Sequence, residues 1–133
     1  MRFDNKYFQA RQFSPEQVAD YLNNANKDLN IAKRDEIAEV KFNYAYSALI
    51  KAGLTLLSHH NQRIKSLPGH HIKIIDALAR ILKDESINDV GNAMRSKRNL
   101  DMYSGGMEIT EKECREYLDF AARVLSRVKI IVV

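Results

Sequence analysis

The chain is expected to fold as an all-α, up-down bundle of four to five helices. Three observations predict this. Apolar residues recur at three- and four-residue spacing through five successive segments. Two of those segments open on a Ser or Thr followed three residues later by Gln or Glu, the signature of a helix start. Two prolines and five glycines in 133 residues are also too few for the many tight turns of an all-β chain.

The first segment, 14–29, begins at Ser14-Pro15-Glu16-Gln17. Ser14 suits the cap, Pro15 the first helical position, and Gln17 completes a capping box. Val18, Tyr21, Leu22, Ala25 and Leu29 then share a face, while Asn23, Asn24 and Asn26 lower the helix propensity and make the segment depend on packing. The second, 34–58, carries a stripe of Ile37, Val40, Tyr44, Ala45, Ala48, Leu49, Ala52 and Leu56, with Gly53 allowing a neighbour to approach. Pro68-Gly69 closes a loop, and 69–84 presents His71, Ile72, Ile75, Leu78, Ala79 and Leu82 on one side. In 86–103 an apolar stripe of Ile87, Val90 and Met94 gives way to Arg95-Ser96-Lys97-Arg98-Asn99, and Ser104-Gly105-Gly106 is the stop. The last segment, 110–131, opens on the Thr110–Glu113 capping box; Cys114, Tyr117, Leu118, Ala121, Val124, Leu125 and Val128 form its inner face. Residues 130–133 make an apolar tail expected to pack on the bundle or on a second subunit.

Composition narrows the function classes. All of 1–133 is expected to form a single domain around one core. The net charge of +4, from 21 basic and 17 acidic side chains, is too mild to indicate a dedicated duplex-DNA binder. A lone cysteine, Cys114, rules out an intrachain disulfide and a multi-cysteine zinc site. Charges interrupt every apolar run near the N-terminus, and no stretch approaches the ~20 apolar residues a membrane span needs. A cytoplasmic protein without a membrane anchor is the expectation.

The segment 95–103 is the candidate functional site. On a helix Arg95, Asn99 and Tyr103 stack one turn apart, with Arg98 about 100° around from Asn99 and Lys97 pointing elsewhere. Two planar guanidinium forks, an amide and a phenol are suited to holding phosphate oxygens or a base edge. The residues alone leave a second reading open, a solvated polar face whose arginines pair with Asp101 or with glutamates.

The order of elements and the run Arg98-Asn99-Leu100-Asp101-Met102-Tyr103 resemble the HEPN superfamily of small helical-bundle proteins. Its motif is an Arg followed by a polar residue, then, after four to six residues, a His near the end of a late helix. The small-residue helix around Tyr44-Ala45-Tyr46-Ser47-Ala48 and the following His70-His71 helix add to the likeness, which spans about Val18 to Val128. The resemblance implies a homodimer with paired motifs facing a cleft, no cofactor or metal, and RNA or nucleotide phosphate as ligand at Arg95, Arg98, Asn99 and Tyr103. It also implies a nucleotidyltransferase-like partner in a toxin–antitoxin or defence system. In the family's metal-independent endoribonucleases, Arg98 and the position of Tyr103 would be catalytic. This chain departs from them in having Tyr103 where they have His. An unshifted phenol is roughly 0.1% ionised at pH 7 and exchanges protons poorly there, so binding with little or no catalysis is the expectation. An active ribonuclease using Tyr103, or a structural adaptor, are the alternatives.

Other residues are read as structural. Adjacent histidines on a helix point about 100° apart, so neither His59-His60 nor His70-His71 is expected to chelate a metal. Cys114 falls on an apolar stripe as an inert thiol. Asp84, Glu85 and Asp89 are expected to pair with bases on neighbouring helices, and the Tyr21, Tyr44 and Tyr117 rings to pack in the core. Ser104-Gly105-Gly106 lacks the length and lysine of a P-loop.

Overall fold

The computed structural model describes residues 2–103 and 108–133, with side chains placed for 2–100 and 108–133. Five helices, α1 (Pro15–Arg34), α2 (Ala38–His59), α3 (His70–Leu82), α4 (Ser86–Tyr103) and α5 (Glu111–Val132), form a helical bundle. Two short strands, β1 (Phe8–Ala10) and β2 (Gln62–Ile64), pair antiparallel with Phe8 opposite Ile64. No described helix is long and apolar enough to cross a membrane.

Both predicted capping boxes are formed. Ser14 Oγ accepts from the Gln17 amide while Gln17 Oε1 accepts from the Ser14 amide; Thr110 and Glu113 do the same at the start of α5. The boundary between the first two helices differs from the expected one. α1 runs on to Arg34, and α2 begins at Ala38 rather than 34, because Asp35 turns the chain: its backbone is extended and its Oδ1 accepts from the Ile37 amide. α3 stops at Leu82, where Lys83 adopts a left-handed conformation.

α2 is the central element, packed on α1, α5 and α3. Phe42, Ala45, Tyr46, Leu49, Ala52 and Leu56 are its innermost residues. Two members of the expected stripe belong elsewhere. Ile37 precedes the helix and is 58% exposed, and Tyr44 lies on the outer surface while Tyr46 takes the buried place at 1%. α1 is locked to α2 by Asp28, which is buried and accepts from Ser47 Oγ at 2.6 Å and pairs with Lys51 Nζ at 2.8 Å.

α3 is clamped closely between α2 and α4. A Cβ at Gly53 on α2 would press into Ile74 Cγ2, and one at Gly91 on α4 would come within 2.8 Å of Ile75 Cγ2. Only glycine lets the neighbours approach this far. The α3–α4 loop is tied to α5 as expected for Asp84: Arg127 Nη1 reaches Asp84 Oδ2 at 2.7 Å, and Nη2 donates to the Leu82 carbonyl. No such ion pair forms at Glu85 or Asp89 among the described residues.

The strands are an addition to the helical expectation, too short to show any alternation. Asn61, at positive φ, turns the chain from α2 into β2; its carbonyl accepts from the Arg11 amide and its Oδ1 from the Phe13 amide. The Lys65 amide donates to the Tyr7 carbonyl and the Tyr7 hydroxyl to Pro68 O, so the N-terminal segment braces the loop leading into α3. At the other end the apolar tail buries itself only in part, through Val132, which packs against the core. α5 carries it outward, with Ile130 80% exposed and Val133 also in solvent.

Candidate functional site

The basic segment of α4 faces the first turn of α3. Arg95, Arg98 and Asn99 line one side of an open depression of about 450 Å³, and Ser66, Pro68, Gly69, His70, His71 and Ile72 contribute to the other. The sequence-predicted residues other than Tyr103 are thus brought together. Lys97 is directed away, as its helical angle requires, donating to the Glu108 carbonyl and pairing with Glu113 at the start of α5. α4 extends to Tyr103, but that side chain, and that of Asp101, with which the arginines pair in the solvated-face reading, lie outside the described residues.

Among the described residues no carboxylate lines the depression and none pairs with Arg95 or Arg98. Arg95 Nε donates to Asn92 Oδ1 at 3.3 Å, and Asn92 Nδ2 donates to the Asn88 carbonyl. Arg98 rests on an aromatic face instead, its guanidinium carbon 5.6 Å from the Tyr46 ring centroid. Neither contact supplies the guanidinium groups with a counter-charge from the described residues. Across from them α3 begins at Gly69, which has φ 82° and gives the helix no side-chain cap. The His70 amide donates back to the Leu67 carbonyl, and the positive end of the helix dipole lies at this terminus.

The residues that sequence reasoning missed are Tyr46, His70 and His71. Tyr46 is buried under Arg98, and its hydroxyl lies 2.9 Å from His71 Nδ1. Burial pushes the Tyr46 phenol up to about 12, against the lowering pull of Arg98 and Arg95. Burial also lowers His71, to about 4, helped by His70, Arg98 and Arg95. Both groups are therefore neutral at pH 7, and their hydrogen bond adds no charge to the site. His70 differs. Its Nδ1 is 2.9 Å from the Leu67 carbonyl, which can only accept, so Nδ1 carries a proton and Nε2 keeps the lone pair of the neutral ring. The expected assignment of His71 to the buried face is half right: it is partly buried, yet it also lines the depression. Ile72, expected to be buried beside it, is 41% exposed at the rim.

The remaining candidates are structural. Cys114 is buried, with its thiol 3.6 Å from the Ala38 carbonyl and its pKa raised by burial. Tyr21 packs edge-on to Phe13 and Tyr117 to Phe42. No group of three His, Cys, Asp or Glu among the described residues is placed to hold a metal ion. Comparison of the chain with protein-family models, curated proteins and solved structures gives no match.

Proposed function

We propose that this is a HEPN-like protein that binds RNA or nucleotide phosphate in the depression between α3 and α4. The observation that carries the reading is the convergence of Arg95 and Arg98 on a concavity that, among the described residues, has no carboxylate in its lining, opposite a helix start without a side-chain cap. Guanidinium forks take phosphate oxygens in pairs, a helix N-terminus favours the same charge, and Asn99 offers both a donor and an acceptor to a ribose or base. Tyr103, at the end of α4, completes the set in this reading. The ligand is tested with a short fluorescent RNA and with AMP. Arg98→Gln is expected to weaken binding by about tenfold or more, as loss of a charge-assisted hydrogen bond does. Wild-type binding should also fall as salt rises. Undiminished binding by Arg98→Gln removes the proposal.

The same reading includes a homodimer and a nucleotidyltransferase-like partner of a toxin–antitoxin or defence system. One exposed apolar side chain in the lining, Ile72 at 41%, supports an interface there. A structural adaptor would instead use the exposed end of α5. In that case removing residues 130–133 breaks assembly while Arg98→Gln changes nothing.

A second reading, a metal-independent endoribonuclease, is favoured by one observation. His70 stands in the lining with Nε2 as its acceptor nitrogen, so a histidine from α3 is available for the proton transfer that Tyr103 performs poorly. Cleavage of RNA in chelator, lost on His70→Ala and unaffected by Tyr103→Phe, is the expected pattern; retention in His70→Ala excludes that role.

A further inference from the structure

α1 presents a second polar surface, on a part of the bundle separate from the depression. α1 packs chiefly on α2 and α5, whereas the depression lies between α3 and α4. Asn23, Lys27, Asn30 and Arg34 follow one another at four- and three-residue steps, which places them in a single line about 16 Å long on the helix. All four are exposed. Two adjoining shallow grooves flank the line and share Asn26 and Asn30. One, of about 470 Å³, reaches Lys27 and Arg34; the other, of about 380 Å³, crosses to Ser126 and Lys129 on α5.

The charge arrangement is one-sided. Asp28 is the single acid between Tyr21 and Arg34, and it points inward to Ser47 and Lys51. Neither groove has a carboxylate in its lining, and Lys27, Arg34 and Lys129 have no ion-pair partner among the described residues. The amides are equally unengaged: the side chains of Asn23, Asn26 and Asn30 make no hydrogen bond among those residues. Asparagine is a poorer helix former than alanine, so three of them in mid-helix weaken α1 without returning a side-chain hydrogen bond among the described residues. Lys27 and Arg34, two turns or about 10 Å apart along the helix, fit separated charges of a repeating anion, and amides between them fit sugar hydroxyls and unpaired base edges.

We propose that the Asn23–Arg34 face of α1, with Lys129 of α5, is a second binding surface, for the backbone of single-stranded RNA. It does not depend on the depression being a phosphate site, and each surface has its own variant.

The experiment measures binding of a fluorescent oligouridylate to the full chain at several salt concentrations, alongside Tm. Lys27→Gln/Arg34→Gln is expected to weaken binding about tenfold at low salt. It should also reduce the log–log salt slope by about 1.4, or 0.7 for each lost phosphate contact. Asn23→Ala/Asn30→Ala should weaken binding at least threefold while raising Tm by about 2–5 °C, because alanine is the better helix former. A purely structural role moves Tm down and leaves affinity alone. Three results overturn the proposal: both double variants binding within twofold of wild type, whether or not Arg98→Gln abolishes binding; no wild-type binding to the oligouridylate; or polyglutamate competing as well as RNA, which would make the surface a reader of acidic protein. Loss in the two double variants with none in Arg98→Gln leaves this surface standing and removes the depression.

Discussion

The Arg98 guanidinium lies 5.6 Å above the centre of the Tyr46 ring, while the Tyr46 hydroxyl is hydrogen-bonded to His71 on the next helix. A surface cation is thereby held by a core aromatic, and the aromatic is held in turn by a residue of the opposite wall. The position of Arg98 is set by α2 and α3 as much as by its own helix.

The two halves of that contact separate on mutation. Tyr46→Phe keeps the ring under Arg98 and removes one hydrogen bond, so it should cost about 1 kcal/mol of stability and change RNA affinity less than threefold. Tyr46→Leu removes the aromatic face as well. It should cost about 2–4 kcal/mol through imperfect repacking and weaken RNA about fivefold. Chemical denaturation and anisotropy titrations of both variants check this, and equal affinities for the two would remove the ring's role.

Acid sensitivity should centre on His71. Its folded pKa, about 4, lies below the ordinary 6.5, so the unfolded chain takes up a proton first as pH falls. The stability linked to the neutral ring is fully present above pH 6.5 and is lost progressively towards pH 4. For a half-buried ring with some solvent screening this amounts to about 2 kcal/mol. Wild-type Tm should therefore fall more steeply than that of His71→Gln between those limits. Parallel curves would assign acid sensitivity elsewhere.

Gly91 is expected to tolerate no side chain. A methyl group there must displace Ile75 from its place between α3 and α4, costing about 1–3 kcal/mol. Because α3 and α4 are the walls of the depression, RNA affinity should fall together with Tm, whereas Ala93→Ser on the exposed face of α4 should lower Tm slightly through helix propensity and leave affinity unchanged. Calorimetry and titration of the pair provide the comparison.

The Asp28–Lys51 pair predicts an asymmetry. Lys51→Met strands a buried carboxylate and should cost about 1–2 kcal/mol. Asp28→Asn keeps an acceptor for Ser47 and leaves Lys51, which is partly solvated, so it should cost less. Urea midpoints of the two variants decide the order.

Local chemistry was the legible part of the fold. Ser14–Gln17 and Thr110–Glu113 announce their helices because a cap is a four-residue event. Tyr44 and Tyr46 were not separable in advance. α2 is covered on several sides, so apolar residues occur around much of its circumference and the period marks no single face. The site divides in the same way. Helical geometry alone groups Arg95, Arg98 and Asn99 and sends Lys97 elsewhere, but His70 and His71 arrive through the packing of α3 on α4, a long-range contact with no local trace. β1 and β2, three residues each, offered no pattern to detect.

That ribbon also bears on the order in which the molecule is built. Gln9 pairs with Arg63 across more than fifty residues, while the helices can begin from contacts within a turn. The brace at Tyr7 can set the approach to α3 only after α1 and α2 have been synthesised and folded back. The depression should accordingly be among the last features to mature during folding and the first to lose amide protection when the chain breathes.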